Sequence, residues 1–436
     1  MTDSNNCIPD EKVTAKDLFM IGNFRLIWSG QVISDFGNSM TRLALLLLIN
    51  ELTGSVAAMA SMTIVLAIPR LIFGMLSGVY VDRLNRKTIM VISDVLRGIA
   101  VLGFMLVDSP DKIWILYVIG FLQGSVATFF EPARMAILPN LIPKSSLLAA
   151  NSISQTSQII FGVLGTAAAG FLIGFVDNYR VVFGIDGLTF ILSAVLVSQI
   201  QYVFIKSDQK EDVEAKIIFG QLVEGIRISF GHRILLGTLI AFSLTMLGVG
   251  AINILMVPLL INELMLPETW FGAINLVQTM GMIASGALIA GLSSRLKPTR
   301  MLSPALMGFG IFLAALSLPT QIWHVMVVLF LLALFIPPIQ SSGMTIMQTV
   351  VPDELRGRTG AARSTLVEIA NLISMGAAGL LADSIGTRVV FIISGVIVIL
   401  AGISSALIFR GVDLTPIAYK QTGQSQISPA SAGSDD

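Results

Sequence analysis

Eight ionisable residues sit in stretches that are otherwise apolar. Asp35 and Arg42 share one stretch, Arg70 lies in the next, and Asp94 and Arg97 lie in the third. Glu131 ends a fourth, Asp186 opens a sixth and Glu368 enters an eleventh. A carboxyl group in such a place can do one kind of chemistry well. It takes up a proton when it is desolvated and releases it when a cation or water reaches it. Enzyme chemistry finds no support. His232 and His324 are the only histidines, and neither belongs to a nucleophile–base constellation. A phosphate-binding Gly-x-x-x-x-Gly-Lys-Ser/Thr loop is missing, so ATP drive is unsupported. The lone Cys7 has no Cys or His companions nearby for a metal site, and no cofactor is implied.

The surrounding chain must hold these charges in hydrocarbon. Of 436 residues, 54% are hydrophobic and 12% are charged, against about 25% charged in a soluble domain. Net charge is zero, so nothing marks a nucleic-acid partner. A spanning helix needs about 20 mostly apolar residues. Twelve stretches meet that length, near 26–50, 55–78, 88–107, 113–134, 147–176, 181–205, 234–261, 269–291, 300–318, 322–347, 364–384 and 388–410. The alternating ten-residue segments of a β-barrel are absent. The expected fold class is an all-α membrane protein of twelve transmembrane helices in two six-helix halves.

Lys and Arg cluster in alternate connections: Arg83, Arg86 and Lys87, then Arg134 and Lys144, then the run from Lys206 to Arg233. Arg295, Lys297 and Arg300, and then Arg356, Arg358 and Arg363, complete the series. The other connections hold only Lys112, Arg180 and Arg388. The positive-inside rule places the first set, and both termini, in the cytoplasm of a multi-pass inner-membrane protein. The chain then divides into a cytoplasmic tail (1–22), a first half (23–205), a linker (206–233), a second half (234–410) and a cytoplasmic tail (411–436) whose Ser, Gly and Gln content reads as disordered. In the linker, Phe219, Val223, Ile226 and Phe230 share one helical face, which predicts a surface helix in the interface or against the bundle. The halves repeat at an offset of 209 residues: Ala167–Leu172 lines up with Gly376–Leu381, Pro143 with Pro352 and Arg86 with Arg295. Parallel six-span repeats point to alternating access around a site between the halves.

The loop from Gly78 through Asp82, Arg83, Arg86 and Lys87 resembles motif A of the major facilitator superfamily, Gly-x-x-x-Asp-Arg-x-x-Arg-Lys, with Asn85 where glycine is commonest. Three further stretches, Asn23–Gln31, Glu131–Pro139 and Val351–Arg358, resemble the bacterial drug-efflux branch that includes macrolide efflux proteins and the enterobactin exporter. The likeness covers about residues 20–410. It implies that Asp82 and its bases latch spans two and eleven on the cytoplasmic side. It also implies export. Two signatures of proton-driven exporters are missing: Gly120 stands where Arg-x-x-Gln-Gly has arginine, and Gly165 is followed by Thr166 instead of proline.

Depth along the helices narrows the site. Asp35 and Arg97 each lie about 13 Å, and Arg70 about 12 Å, from the cytoplasmic end at ~1.5 Å per residue. An Asp35–Arg70 ion pair is therefore expected, while Arg42 lies about 10 Å too far along the same face for a direct pair. Asp35 is the first candidate for proton coupling and Glu131 the second. Asp94 and Arg97, three residues apart, read as a structural pair, and Asp186 as a helix-start residue near the outer surface. The substrate cavity is drawn from Met40, Gln123, Phe129, Gln158, Asn253, Gln278 and Gln340, with Gln155 and Met282 beside them. Pro337–Pro338 breaks span ten, as a hinge or as a static kink. The leading expectation is a secondary transporter, working as a monomer among membrane lipids, that exchanges protons for small amphipathic organic compounds such as macrolide-like drugs or siderophores. Two other readings stay open: a lipid or lysophospholipid flippase on the same fold, and a non-transporting membrane scaffold or sensor.

Overall fold

The structure is a computed structural model that describes residues 15–143, 146–202, 215–292 and 298–410. Cys7, Lys144, Lys206, Arg295, Lys297 and the tail from 411 lie outside the described residues, and so does the side chain of Asp82. Every regular element among the described residues is helical.

A short α1 (Ala15–Met20) precedes six long helices: α2 (Gly22–Thr53), α3 (Val56–Arg83), α4 (Arg86–Gly103), α5 (Ile113–Leu141), α6 (Leu147–Val176) and α7 (Tyr179–Ser198). Then come α8 (Ala215–Gly231), α9 (Arg233–Val257), α10 (Trp270–Leu292), α11 (Pro298–Ala315), α12 (Ile322–Ala333), α13 (Ile336–Val350), α14 (Asp353–Ile385) and α15 (Thr387–Ile408). Eleven spans are long and apolar enough to cross a bilayer, with α12 and α13 together making one of them. The twelfth pass is α11, whose Ser303 Oγ donates to Ser405 Oγ of α15 at 3.2 Å.

Local chemistry sets the boundaries. Gly54 takes the left-handed conformation (φ +62°) that ends α2, and Ser55 at once caps α3 by accepting from the Ala58 amide at 3.2 Å. Asn85, the residue that departs from motif A, caps α4 by accepting from the Lys87 and Thr88 amides. A side-chain cap of this kind explains why the position tolerates the loss of glycine. Asn178 caps α7 by accepting from the Arg180 amide. The prolines break span ten between Ala333 and Ile336, and Ser285 Oγ of α10 donates to the Leu334 carbonyl at the break. Pro258 lacks an amide hydrogen, and α9 passes into a π turn over Pro258–Glu263.

Helices α2–α7 pack on one another and α9–α15 on one another. Helix α8 lies along α14, where Arg358 Nη1 donates to both Glu224 oxygens at 2.8 Å. Its buried face runs through Leu222, Gly225 and Ser229, whereas Val223 and Phe230 are exposed. Of the stripe read from the linker, Val223 and Phe230 therefore turn away from the bundle, Ile226 is half-buried and the side chain of Phe219 lies outside the described residues. The small Gly225 fits against the Arg358 backbone where a larger side chain would not.

The two groups of helices meet at the end of the bundle where α2 stops and α3 starts. Asp383 of α14 accepts from Ser55 Oγ (2.8 Å), the Val56 amide (2.8 Å) and the Ala57 amide (3.1 Å). Asn50 of α2 and Asn262 of the π turn exchange two amide hydrogen bonds, at 2.9 and 3.0 Å. Polar bonds described at the opposite, basic end stay within one group: Arg86 to the Ala136 carbonyl, Arg134 to Glu131 and Arg358 to Glu224.

Gly165 is where α2 and α6 touch most tightly, since a Cβ there would meet the Phe36 carbonyl. Overpacking at such a contact costs about 1–3 kcal/mol. Gly165→Leu should lower the unfolding temperature of the detergent-solubilised protein, while Gly184→Ala, which meets open space, should leave it within a degree or two of wild type. Thermal unfolding of the two purified variants checks both.

Candidate functional site

Asp35 lies partly buried on α2, in a cluster drawn from four helices. Gln31, one turn earlier, is its hydrogen-bond neighbour. The Gln31 carbonyl oxygen accepts from Arg134 Nη1 at 3.1 Å, which leaves its NH2 as the group that faces Asp35. Arg134 holds Glu131 in a two-pronged pair through Nε (2.9 Å) and Nη2. Asp35, Gln31, Arg134 and Glu131 thus form one chain between α2 and α5. Arg134 entered the sequence reading only as a cytoplasmic base, although its position three residues after Glu131 is the spacing of a helical ion pair.

Arg97 is the second cation within range of Asp35. It lies beside Asp94 (3.7 Å), over the ring of Phe190 (4.2 Å to the centroid) and near that of Phe130 (5.8 Å). Asp35, Asp94 and Asp186 all act electrostatically on it. Arg70 does not join them. It is exposed on α3 and makes no ion pair with Asp35. Equal depth is a poor guide here, because it does not fix which faces of two helices meet. Asp186 also departs from expectation: it is the eighth residue of α7, is fully enclosed, and caps nothing. The helix starts earlier than the hydropathy pattern implied, on the Asn178 cap.

Arg42 is exposed midway along α2 with no hydrogen bond or ion pair among the described residues, so it is not a buried partner. Among the cavity candidates, Met40 is fully buried in the core. Its position on α2 faces the packed side of the helix. Gln123 is buried with an unpartnered carbonyl oxygen. Gln158 and Asn253 are exposed and Gln278 is half-buried. Gln340 lines a cavity of about 520 Å³ with Phe242, Pro337, Ser341, Met344 and Arg363. There Arg363 stacks 4.2 Å over Phe242. Phe129 instead lines a lateral groove of about 650 Å³ between α3, α4 and α5, with Phe73, Leu84, Asn85, Ile92 and Leu96. Gly78 is helical within α3, Lys87 is half-buried, and Arg83 is exposed.

A family model of the Major Facilitator Superfamily matches residues 27–237 and again 238–431. The chain belongs to that superfamily. It is 24% identical over 398 residues to "Macrolide efflux protein A" of Streptococcus pyogenes, covering 90% of this chain and 97% of the relative. It is 22% identical over 399 residues to "Multidrug efflux pump Tap" of Mycolicibacterium fortuitum, covering 89% and 96%. Over 206 residues it is 30% identical to "Putative bacilysin exporter BacE" of Bacillus subtilis (strain 168), covering 47% and 50%. Among solved structures, a bacterial homologue of the iron transporter ferroportin in an inward-facing state aligns with a TM-score of 0.72 at 17% identity, over 90% of this chain and 99% of that one. The inward-open xylose transporter XylE from E. coli aligns with a TM-score of 0.65 at 14% identity, over 88% and 95%. These likenesses are of fold.

The Asp383 contact is a carboxylate on a helix N-terminus, reaching from one half to the other. Losing such a cap costs about 1 kcal/mol. Asp383→Ala should therefore raise the rate at which a maleimide modifies Ser55→Cys, by about fivefold for a 1 kcal/mol loss. An unchanged rate would mean that this contact does not hold the end shut.

Proposed function

We propose that this protein is a proton-coupled exporter of small amphipathic organic compounds that works by alternating access. The observation that carries this is the chain Asp35–Gln31–Arg134–Glu131. It sets a partly exposed carboxyl on α2 among two guanidiniums and a second carboxyl. Such a carboxyl can trade a proton for contact with a cation as the site opens and closes. The full-length relatives named as efflux proteins support the export direction. Asp35 is the primary coupling acid in this reading and Glu131 the second, held in reserve by its pairing with Arg134.

Charge placement supports an inner-membrane orientation with the basic end and both termini in the cytoplasm. The three bases at the other end are matched by acids. Lys112 Nζ lies 2.7 Å from Asp108, which this bond holds below the usual carboxylate range, and Arg180 lies 3.8 Å from the same residue. Arg388 lies 2.6 Å from Glu263. In that orientation the Asp383 contacts close the outside, and the protein faces inward. The motif A latch of Asp82 then belongs to the opposite, outward-open state. Helices α3 and α14 run antiparallel, with Ser55 at Asp383 and Ile64 at Gly376. Continuing that register brings Arg70 opposite Glu368, so outward opening would bring these two unpaired charges together at the inner gate.

The lateral groove lined by Phe129 favours one competing reading, a lipid or lysophospholipid flippase, because it is apolar and opens to the side of the bundle. Movement of a labelled lysophospholipid across proteoliposomes, with Asp35→Asn transporting as well as wild type, would favour it.

Under the exporter reading, a protonophore should abolish accumulation-resistant export from cells of an efflux-deficient host. Asp35→Asn should cut export at least tenfold while membrane levels stay normal. Export that persists without a gradient would refute proton coupling, and full activity of Asp35→Asn would move the coupling role to Glu131. For the gate, Arg70→Cys/Glu368→Cys should be cross-linked by a short bifunctional maleimide only in conditions that open the outside. Cross-linking equally well in the inward-facing protein would rule the proposed pairing out.

A further inference from the structure

Asp186 has no part in the coupling chain described above, yet it is buried deeper than Asp35. It is fully enclosed, as is Asp94, and Arg97 is nine-tenths buried. The pocket is made by close approach of three helices. A Cβ at Gly37 of α2 would strike Asp186 and Thr189 of α7, and one at Gly98 of α4 would press on the Gly187 carbonyl. The charged group that acts on Asp186 is Arg97 on α4, and Asp94 on α4 and Asp35 on α2 act on the same guanidinium. Glu131 and Arg134 on α5 and Arg42 on α2 belong to the surroundings of Asp35. Glu131 and Arg134 satisfy each other, and Arg42 makes no ion pair with any of them. Three carboxyl groups are left around one guanidinium.

Bond lengths separate the two enclosed acids. Asp94 Oδ2 accepts from Ser193 Oγ at 2.6 Å, the length of a hydrogen bond to a charged oxygen, and Asp94 Oδ1 faces Arg97 at 3.7 Å. Asp186 has no cation within 4.0 Å. Its Oδ1 accepts from Thr189 Oγ1, at a neutral 3.1 Å, and that hydroxyl has a shorter alternative in the Asp186 carbonyl at 2.7 Å. The other donor beside it is likewise a neutral hydroxyl, that of Thr41 on α2. Asp186 Oδ2 is buried with no hydrogen-bond partner, as are Asp35 Oδ2, Asp94 Oδ1 and Arg97 Nε. But Asp94 Oδ1 faces the Arg97 guanidinium, and Asp186 Oδ2 faces no cation within 4.0 Å. An ionised carboxylate left this way would be far more costly than a neutral acid.

We propose that Asp186 is a second proton-binding site, enclosed within the first six helices and linked to Asp35 through Arg97. Asp94 stays ionised against Arg97 and Ser193, and the proton sits on Asp186. When Asp35 takes up a proton it stops competing for Arg97. The guanidinium charge is then shared between Asp94 and Asp186, and Asp186 gives up its proton to water that reaches the cluster from the side of the partly exposed Asp35 as the site opens. One proton arrives at Asp35 as another leaves Asp186, so the cluster keeps its net charge. This deepens the proton-coupled reading and adds a carboxyl that the substrate need not touch.

Infrared spectroscopy of the purified, lipid-reconstituted protein tests it without any transport assay. Wild type at neutral pH should show the C=O stretch of a protonated, non-hydrated carboxyl. Asp186→Asn should lose that band, and Asp186→Glu, the more conservative change, should shift its frequency. Absence of the band in wild type, or its persistence unchanged in Asp186→Asn, would overturn the proposal. So would loss of the band when sodium replaces potassium, which would mark a sodium site instead. The two readings can fail separately. A band present in a protein whose export ignores the proton gradient removes the coupling reading and leaves Asp186 as a proton site. A missing band in a proton-driven exporter removes only Asp186.

Discussion

A charge inside a bilayer must find either an opposite charge or water, because hydrocarbon offers neither. On insertion scales the cost of an unaided charge at mid-helix is about 2.5–3.5 kcal/mol. That constraint organises this protein. One solution is the cluster among α2, α4, α5 and α7, where Arg97 and Arg134 are shared among four carboxyl groups. The other is a cavity wall with an aromatic face, as at Arg363 above Phe242. Both solutions require helices that pack closely in some places and stand apart in others. Small residues supply the first, at Gly37, Gly98 and Gly165, and the break at Pro337–Pro338 marks the second.

Under the proposed alternating access, the contacts between the halves obey a different requirement: they must be strong enough to close and weak enough to reopen. A polar seam meets it. Each bond from Asp383 to the start of α3, and each between Asn50 and Asn262, exchanges for a bond to water when the seam parts. Its net worth is then about 1 kcal/mol. An apolar seam of equal area would be harder to separate, since all of its buried surface would be exposed at once. The two asparagines also show why the π turn is retained after Pro258. A regular helical turn would rotate Asn262 by the angle of one residue and lose the reciprocal pair.

The sequence carried the architecture well and the pairing poorly, for one physical reason. Hydropathy and basic loops are properties of single segments, so the spans and the Gly78–Lys87 loop could be read directly. Ion pairing depends on which faces of two helices meet, and depth alone does not contain that. Arg70 and Asp35 share a depth but not a seam, whereas Arg97 reaches Asp35 from α4. Asp186 was misplaced because an apolar stretch begins where hydropathy rises, while its helix begins at Tyr179, on the Asn178 cap, seven residues before it. Met40 looked like a cavity residue because soft side chains suit adaptable sites, but α2 turns that face to the core. Glu131–Arg134 is the pair that spacing alone could have supplied.

The two ends of the α3–α14 seam now have distinct chemistry. At one end a carboxylate of α14 rests on the first amides of α3, where the helix dipole favours negative charge. At the other, the latch proposed for motif A would set the carboxylate of Asp82 against the start of α14. The two contacts would then be the same device used in opposite directions, each helix lending an acid to its neighbour's N-terminus. Only one such contact can be made at a time if the helices rock as rigid rods about their middle.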